Sequence, residues 1–280
     1  MHCSKATTSI SSNGGCETPS PLFDDVEHPT IDILNVRIQN ITEAELLANL
    51  KEGVLFTPNV DHVMKLQKDK GFYDAYQEAD WVVCDSKVLL FCSRFTSTPF
   101  KEAISGSTFF RSFYHYHKDD PDCRIFLLGS LDNVATLALQ RINETVGRQI
   151  VVGAMSPSMG FDQKPEECEH IVEVINQSGA NVLVVGVGAP KQEKYIVKWK
   201  DRMPGIKIFM ALGATIDFEA GIKRRAPLWM QHMGMEWFYR FILEPRRLFR
   251  RYFVHDLAFF YLFAKQRFGR YHNPWKRGRV

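Results

Sequence analysis

The chain has 280 residues, 45% of them hydrophobic and 24% charged, a composition that supports a buried core plus a smaller appendage and excludes a chain that is disordered throughout. The formal net charge of +3 conceals a division: residues 221–280 hold 14 Lys and Arg against three Asp and Glu, so the remainder is net acidic and the basic tail points to phosphates or anionic lipid. Six cysteines lack the short repeated spacings of a zinc or iron–sulfur site and read as reduced, unpaired thiols.

Residues 1–30 are rich in Ser, Thr, Gly and Pro without the apolar core of a signal peptide, and read as a disordered leader. A first strand is predicted at 31–36, then a helix at 43–50 opened by Thr42 and Glu45 in capping-box spacing. A strand at 54–57, a helix at 62–68, a strand at 81–84 and an aromatic-rich helix at 106–118 follow. The second half alternates more regularly, with strands at 124–128, 149–152, 182–186 and 207–212 separated by helices at 133–146, 165–177 and 191–200. This pattern predicts an α/β core over 31–221: a mostly parallel sheet with helices on both faces. Right-handed crossovers place the strand-to-helix loops at one sheet edge, where ligands bind.

Beyond Gly221 the β-branched runs disappear and aromatics interleave with arginines. Residues 222–280 read as a basic, amphipathic, helical appendage broken at Pro227 and Pro245. Its apolar stretch 253–264 contains His255 and Asp256 and falls short of the roughly 20 residues that span a bilayer.

Four loops carry candidate chemistry. In Thr57-Pro58-Asn59-Val60-Asp61-His62, Thr57 and Asn59 offer neutral donors and acceptors for sugar hydroxyls or a base edge; alternatively Asn59 or Asp61 is a helix N-cap. In Cys84-Asp85-Ser86, Asp85 is either a general base at a strand tip or the cap of a helix beginning at Lys87. In the third loop, Gly186 and Gly188 permit close backbone approach and the amides of the following helix suit phosphate. Pro190 and Lys191 stand where the dinucleotide fingerprint needs its third glycine, and no Gly-Lys-Ser/Thr is present, so neither a nicotinamide site nor a P-loop fits. In the fourth, Gly213, Ala214 and Thr215 admit a flat or phosphorylated ligand and Asp217 and Glu219 supply polar contacts, unless the segment is a tight packing turn. Asp119-Asp120-Pro121-Asp122 lies before a strand, opposite the expected crevice, and reads as a solvated charge run; no metal ion or other cofactor is expected.

In the tail, Arg240, Arg247 and Arg250 share a helical face if Pro245 lies near a helix start. Trp237, Phe238, Phe241, Phe249, Phe253, Phe259 and Phe260 then supply the apolar side of an interfacial helix. Apolar runs such as 257–263 set the tail apart from a nucleic-acid binder, which would have to bury them.

These motifs together resemble the WecG/TagA/CpsF family of bacterial glycosyltransferases. The resemblance covers residues 31–265 and rests on Thr57-Pro58-Asn59, the run from Val185 to Glu193, the segment from Gly213 to Gly221 with Arg225-Ala226-Pro227, and Met235-Glu236-Trp237-Phe238-Tyr239-Arg240 continuing to Arg247. It implies a Rossmann-like, metal-independent core that inverts configuration. The implied donor is a UDP-sugar of N-acetylmannosamine type, its uronate or glucose, and the implied acceptor a saccharide on polyprenyl diphosphate. The resemblance makes Asp85 the base, puts Thr57, Asn59 and Gln192 near the substrates, and turns Arg240, Arg247 and Arg250 to the lipid diphosphate. It implies a peripheral enzyme on the cytoplasmic face of the inner membrane, contacting anionic lipid and not nucleic acid, with homo-oligomers left open. Ser86, Ala103 and Thr108 replace the family's usual Gly, Arg and Asp. That leaves compensation by Lys101 or Arg94, different substrates, slower turnover, or a weakened member that binds lipid-linked sugar within a synthesis complex.

Overall fold

Short runs of Val, Ile, Leu and Phe alternate with helices along the described residues, which in this computed structural model are 28–131, 133–223 and 257–276 with the single positions 227, 230, 239, 242 and 245. A hairpin, β1 (Thr30–Ile33) and β2 (Val36–Gln39), precedes α1 (Glu43–Asn49), β3 (Gly53–Phe56), α2 (Val60–Lys65), α3 (Lys70–Gln77), β4 (Trp81–Val82), α4 (Lys87–Ser93) and α5 (Gly106–Tyr116). Then come β5 (Ile125–Gly129), α6 (Val134–Val146), β6 (Val151–Met155), α7 (Pro165–Gln177), β7 (Val182–Gly186), α8 (Lys191–Trp199), β8 (Ile208–Ala211), α9 (Thr215–Glu219) and, after the appendage residues outside the description, α10 (Leu257–Arg267).

The main sheet has six strands in the order β4-β3-β8-β7-β5-β6, and every pairing in it is parallel. Strand residues alternate between two cores, as a period of two requires. Val54, Phe56, Phe126, Leu128, Leu183, Val185 and Phe209 face α2, α3, α7 and α8, whereas Leu55, Ile125, Leu127, Val182, Val184, Ile208 and Met210 face α1, α5 and α6. Both faces are therefore covered, and the predicted α/β class holds.

Several local expectations are corrected. The single strand expected at 31–36 is a hairpin, because Leu34 at φ +55° turns the chain back. Gln39 joins this hairpin to the sheet edge: its amide donates to the Asp80 carbonyl at 2.8 Å and its oxygen accepts the Val82 N–H at 2.6 Å. Helix α3 was not foreseen; Asp69 caps it, and it buries Phe72, Tyr73 and Tyr76. Strand β6, expected at 149–152, lies at Val151–Met155; the weak strand propensity of Gly153-Ala154 hid its second half from the sequence. Thr42 and Glu45 do form the expected capping box. Lys101 also binds Glu45 at 2.8 Å, and these hydrogen bonds, Lys101's first, hold the Glu45 carboxyl at about 2.

The described part of the appendage docks on the core. Phe259 is fully buried and Phe263 nearly so, whereas Leu257, Phe260 and Tyr261 stay exposed. Phe259 thus belongs to the core and not to an interfacial face. The side chain of Gln266 bridges the hairpin, donating to the Asp32 carbonyl and accepting the Leu34 N–H. Trp275 donates its indole N–H to the Leu66 carbonyl at 2.7 Å. No helix among the described residues is long and apolar enough to cross a membrane.

Candidate active site

Strands β3 and β4 progress toward one edge of the sheet, β5 and β6 toward the other, and β8 and β7 fill the middle. This reversal opens a crevice at the carboxyl ends of the central strands. A cavity of about 760 Å³ occupies it, lined by Thr57 and Asn59 after β3, Asp85 after β4, Gly186 to Ala189 after β7, and Leu212 to Thr215 and Asp217 after β8. The four sequence-predicted loops therefore converge on one site. Tyr239 also lines it; Arg240, Arg247 and Arg250 lie outside the described residues, as do Trp237, Phe238, Phe241, Phe249 and Phe253.

Asp85 does not cap the next helix. Ser86 does, its hydroxyl accepting the Leu89 N–H at 3.3 Å, and this gives the residue after Asp85 a structural duty. The Asp85 N–H donates to the Pro58 carbonyl at 3.0 Å, tying the β4 loop to the β3 loop. Asn59 combines two duties: its side-chain oxygen caps α2 through the His62 N–H, and it lines the cavity.

A buried polar pair reaches from the lining into the core. His62 Nδ1 is 3.0 Å from the Tyr76 hydroxyl; burial, then the charges of Glu193 and Asp85, push that phenol well up. Burial also pushes the neighbouring Cys84 thiol up to about 12. Lys65 pairs with Asp61 at 2.9 Å and donates to the Ala189 carbonyl at 3.1 Å, linking α2 to the β7 loop.

Gln192 is almost completely buried. Its side-chain oxygen accepts the N–H groups of Gly188 and Gly213, both at 3.1 Å, and its amide donates to Glu193 Oε1 at 2.9 Å. Gln192 is thus a strut between two loops, its oxygen held by backbone amides that precede α8 and α9. Glu193 is fully buried, its Oε2 has no hydrogen-bond partner among the described residues, and burial raises its carboxyl to about 7.

The glycines of this loop serve different ends. A Cβ on Gly186 would sit 2.6 Å from the Gly213 carbonyl oxygen, so Gly186 lets two strand tips pack together. Gly188 has φ +88° and open space where a Cβ would point, so it is the backbone conformation that requires glycine there. Asp217 accepts from Ser130 and pairs with Lys223 at 2.6 Å, placing a compensated carboxylate on the lining. Its expected companion Glu219 turns away, accepting from Tyr114 at 2.9 Å and Arg111 at 3.1 Å under α5. The segment holding both is the short helix α9, not an open loop.

Neither proposed substitute for the missing arginine reaches the described lining: Lys101 is bound to Glu45, and Arg94 caps the far end of α4. Cationic groups come instead from Lys65 and Lys223, with the His62 imidazole between α2 and the cavity. Sequence reasoning missed all three. His62 and Lys65, three positions apart on the helix directly after Asn59, were the available signal. Asp119, Asp120 and Asp122 precede β5 at the opposite sheet edge, where the Asp120 carboxylate accepts the Asp122 N–H at 3.0 Å.

A six-stranded parallel sheet covered by helices, with polar loops gathered around a crevice at the carboxyl ends of its central strands, is a Rossmann-like fold. The chain belongs to the glycosyl transferase WecG/TagA/CpsF family, whose model matches residues 31–273, and it is a glycosyltransferase. It is similar to the N-acetylglucosaminyldiphosphoundecaprenol N-acetyl-beta-D-mannosaminyltransferase of Bacillus subtilis (strain 168), at 26% identity over 195 residues that cover 70% of this chain and 73% of the relative.

Proposed function

We propose that the enzyme transfers a sugar from a UDP-sugar to a saccharide carried on polyprenyl diphosphate, with inversion and without a metal ion, at the cytoplasmic face of the inner membrane. The donor is of N-acetylmannosamine type, its uronate or glucose; the Bacillus relative's name favours the first. The observation that carries this reading is Asp85 at the tip of β4, facing a cavity walled by the β3, β7 and β8 loops.

Asp85 takes the proton of the acceptor hydroxyl as that oxygen bonds to the anomeric carbon, and the bond from that carbon to UDP breaks with its electron pair leaving on the diphosphate. Lys65, Lys223 and the appendage residues Arg240, Arg247 and Arg250 offset the departing charge. Thr57 and Asn59 orient sugar hydroxyls, and the strut at Gln192 fixes the spacing of the Gly188 and Gly213–Thr215 walls. The arginine-rich tail brings these groups to anionic headgroups.

The test is a panel of the three donors with polyprenyl-diphosphate acceptors, read by mass spectrometry of the lipid product and by UDP release. One donor should lengthen the lipid-linked saccharide by one sugar. Donor and acceptor binding without product from any pair would favour a non-catalytic role.

A further inference from the structure

Helix α4 and the residues just after it carry an exposed aromatic patch outside the cavity that Asp85 lines. Phe91 on α4 and Phe95 just past its C-cap Arg94 are each 55% exposed, and their rings meet edge to face with centroids 5.5 Å apart. A shallow groove joins Phe95 and Arg94 to Ala264, Arg267 and Phe268 at the end of α10, where Phe268 is 77% exposed. The same two helices bury Leu89 and Cys92, and Phe259 and Phe263, on their inner sides. Two elements distant in sequence thus present aromatic rings and arginines to solvent side by side.

Adjoining exposed apolar side chains rimmed by charge mark an interaction surface. The charge selects the occupant: Arg94 and Arg267 flank the groove, and Lys265 and Arg270 lie on either side of Arg267 in the chain. Aromatic rings with cationic neighbours suit the interface of an anionic bilayer, where rings enter the acyl boundary and arginines meet phosphates.

We propose that α4 and the end of α10 together form a docking face for an anionic lipid bilayer. This rests on the reading that the acceptor is lipid-linked, and adds that the catalytic domain itself, not the tail alone, touches the membrane. Helix α4 begins two positions after Asp85, so the element that carries Phe91 adjoins the proposed base in the chain.

The experiment uses the full chain and vesicles of phosphatidylcholine with or without phosphatidylglycerol. Wild type should bind the anionic vesicles, and Phe91→Ser with Phe95→Ser should weaken that binding on the order of tenfold as two rings leave the interface, with the unfolding temperature kept. Phe95→Trp should retain binding and gain fluorescence that brominated lipid quenches. If the double variant binds as wild type does and Phe95→Trp is not quenched, the α4 face is overturned; Leu257→Ser with Phe260→Ser, both exposed and outside the groove, then still reports on the tail, so the membrane reading is judged separately. Wild type that binds neither vesicle sinks both. Equal binding to neutral vesicles contradicts the anionic partner. A lipid-free dimer that the double variant abolishes assigns the face to a second copy of the chain and overturns the proposal.

Discussion

Gln192 Oε1 stands 3.1 Å from the backbone nitrogen of Gly213, twenty-one positions away, and so fastens the β7 loop to the β8 loop. The same oxygen accepts the Gly188 N–H. Gln192→Ala leaves both amides and the Glu193 carboxyl without this partner, at a cost of about 2 kcal/mol. Scanning calorimetry should show the lower unfolding temperature, and titration with UDP a weaker affinity, because the walls are no longer held at one spacing. Unchanged values for both would remove the strut.

Glu193 gives the fold a pH dependence. Burial pushes its carboxyl up to about 7 in the folded state, against an ordinary value of 4.5. The folded state therefore keeps a proton that the unfolded chain releases. This contribution is fully present below 4.5 and is lost as pH rises through about 7, a decline of about 3 kcal/mol at most. Glu193→Gln keeps an acceptor for the Gln192 amide and removes the titration. Urea unfolding between pH 5 and 8 should give a flatter profile for the variant, and parallel profiles would contradict the assignment.

Phe259 makes the end of the appendage part of the core. Its side chain is fully buried among residues of the β3-side core and stacks on Phe263 with centroids 5.8 Å apart. Phe259→Ala should cost about 3–5 kcal/mol, whereas Phe260→Ala, at an exposed position, should cost far less. Removal of residues 245–280 should accordingly lower the unfolding temperature as well as weaken membrane binding. Thermal unfolding of the two point variants separates these effects.

The sequence carried the alternation of elements plainly, because the buried strands at Ile125–Gly129 and Val182–Gly186 are unbroken apolar runs between strongly periodic helices. The convergence of the loops after β3, β4, β7 and β8 was also legible, since a parallel sheet puts all such loops at one edge. Strand order was not, because β8 and β7 enter between β3 and β5 from far along the chain. Leu34 gave no turn signal, as a leucine at positive φ is rare. Local pattern also could not show that Gln192 turns inward to serve two backbone amides, or that Glu219 faces α5 while Asp217, two positions away, lines the cavity. Those outcomes depend on tertiary packing.

The proposed base is tested most directly by Asp85→Asn, assayed for single-turnover transfer to a polyprenyl-diphosphate acceptor beside UDP binding and unfolding temperature. The substitution nearly preserves shape and leaves the Ser86 cap and the Asp85 backbone bond to Pro58 in place. It removes the proton acceptor. Transfer should fall about 10²-fold or more, the scale of a positioned general base, while UDP affinity and unfolding temperature stay close to wild type. Transfer at a near-normal rate by the folded variant would contradict the account.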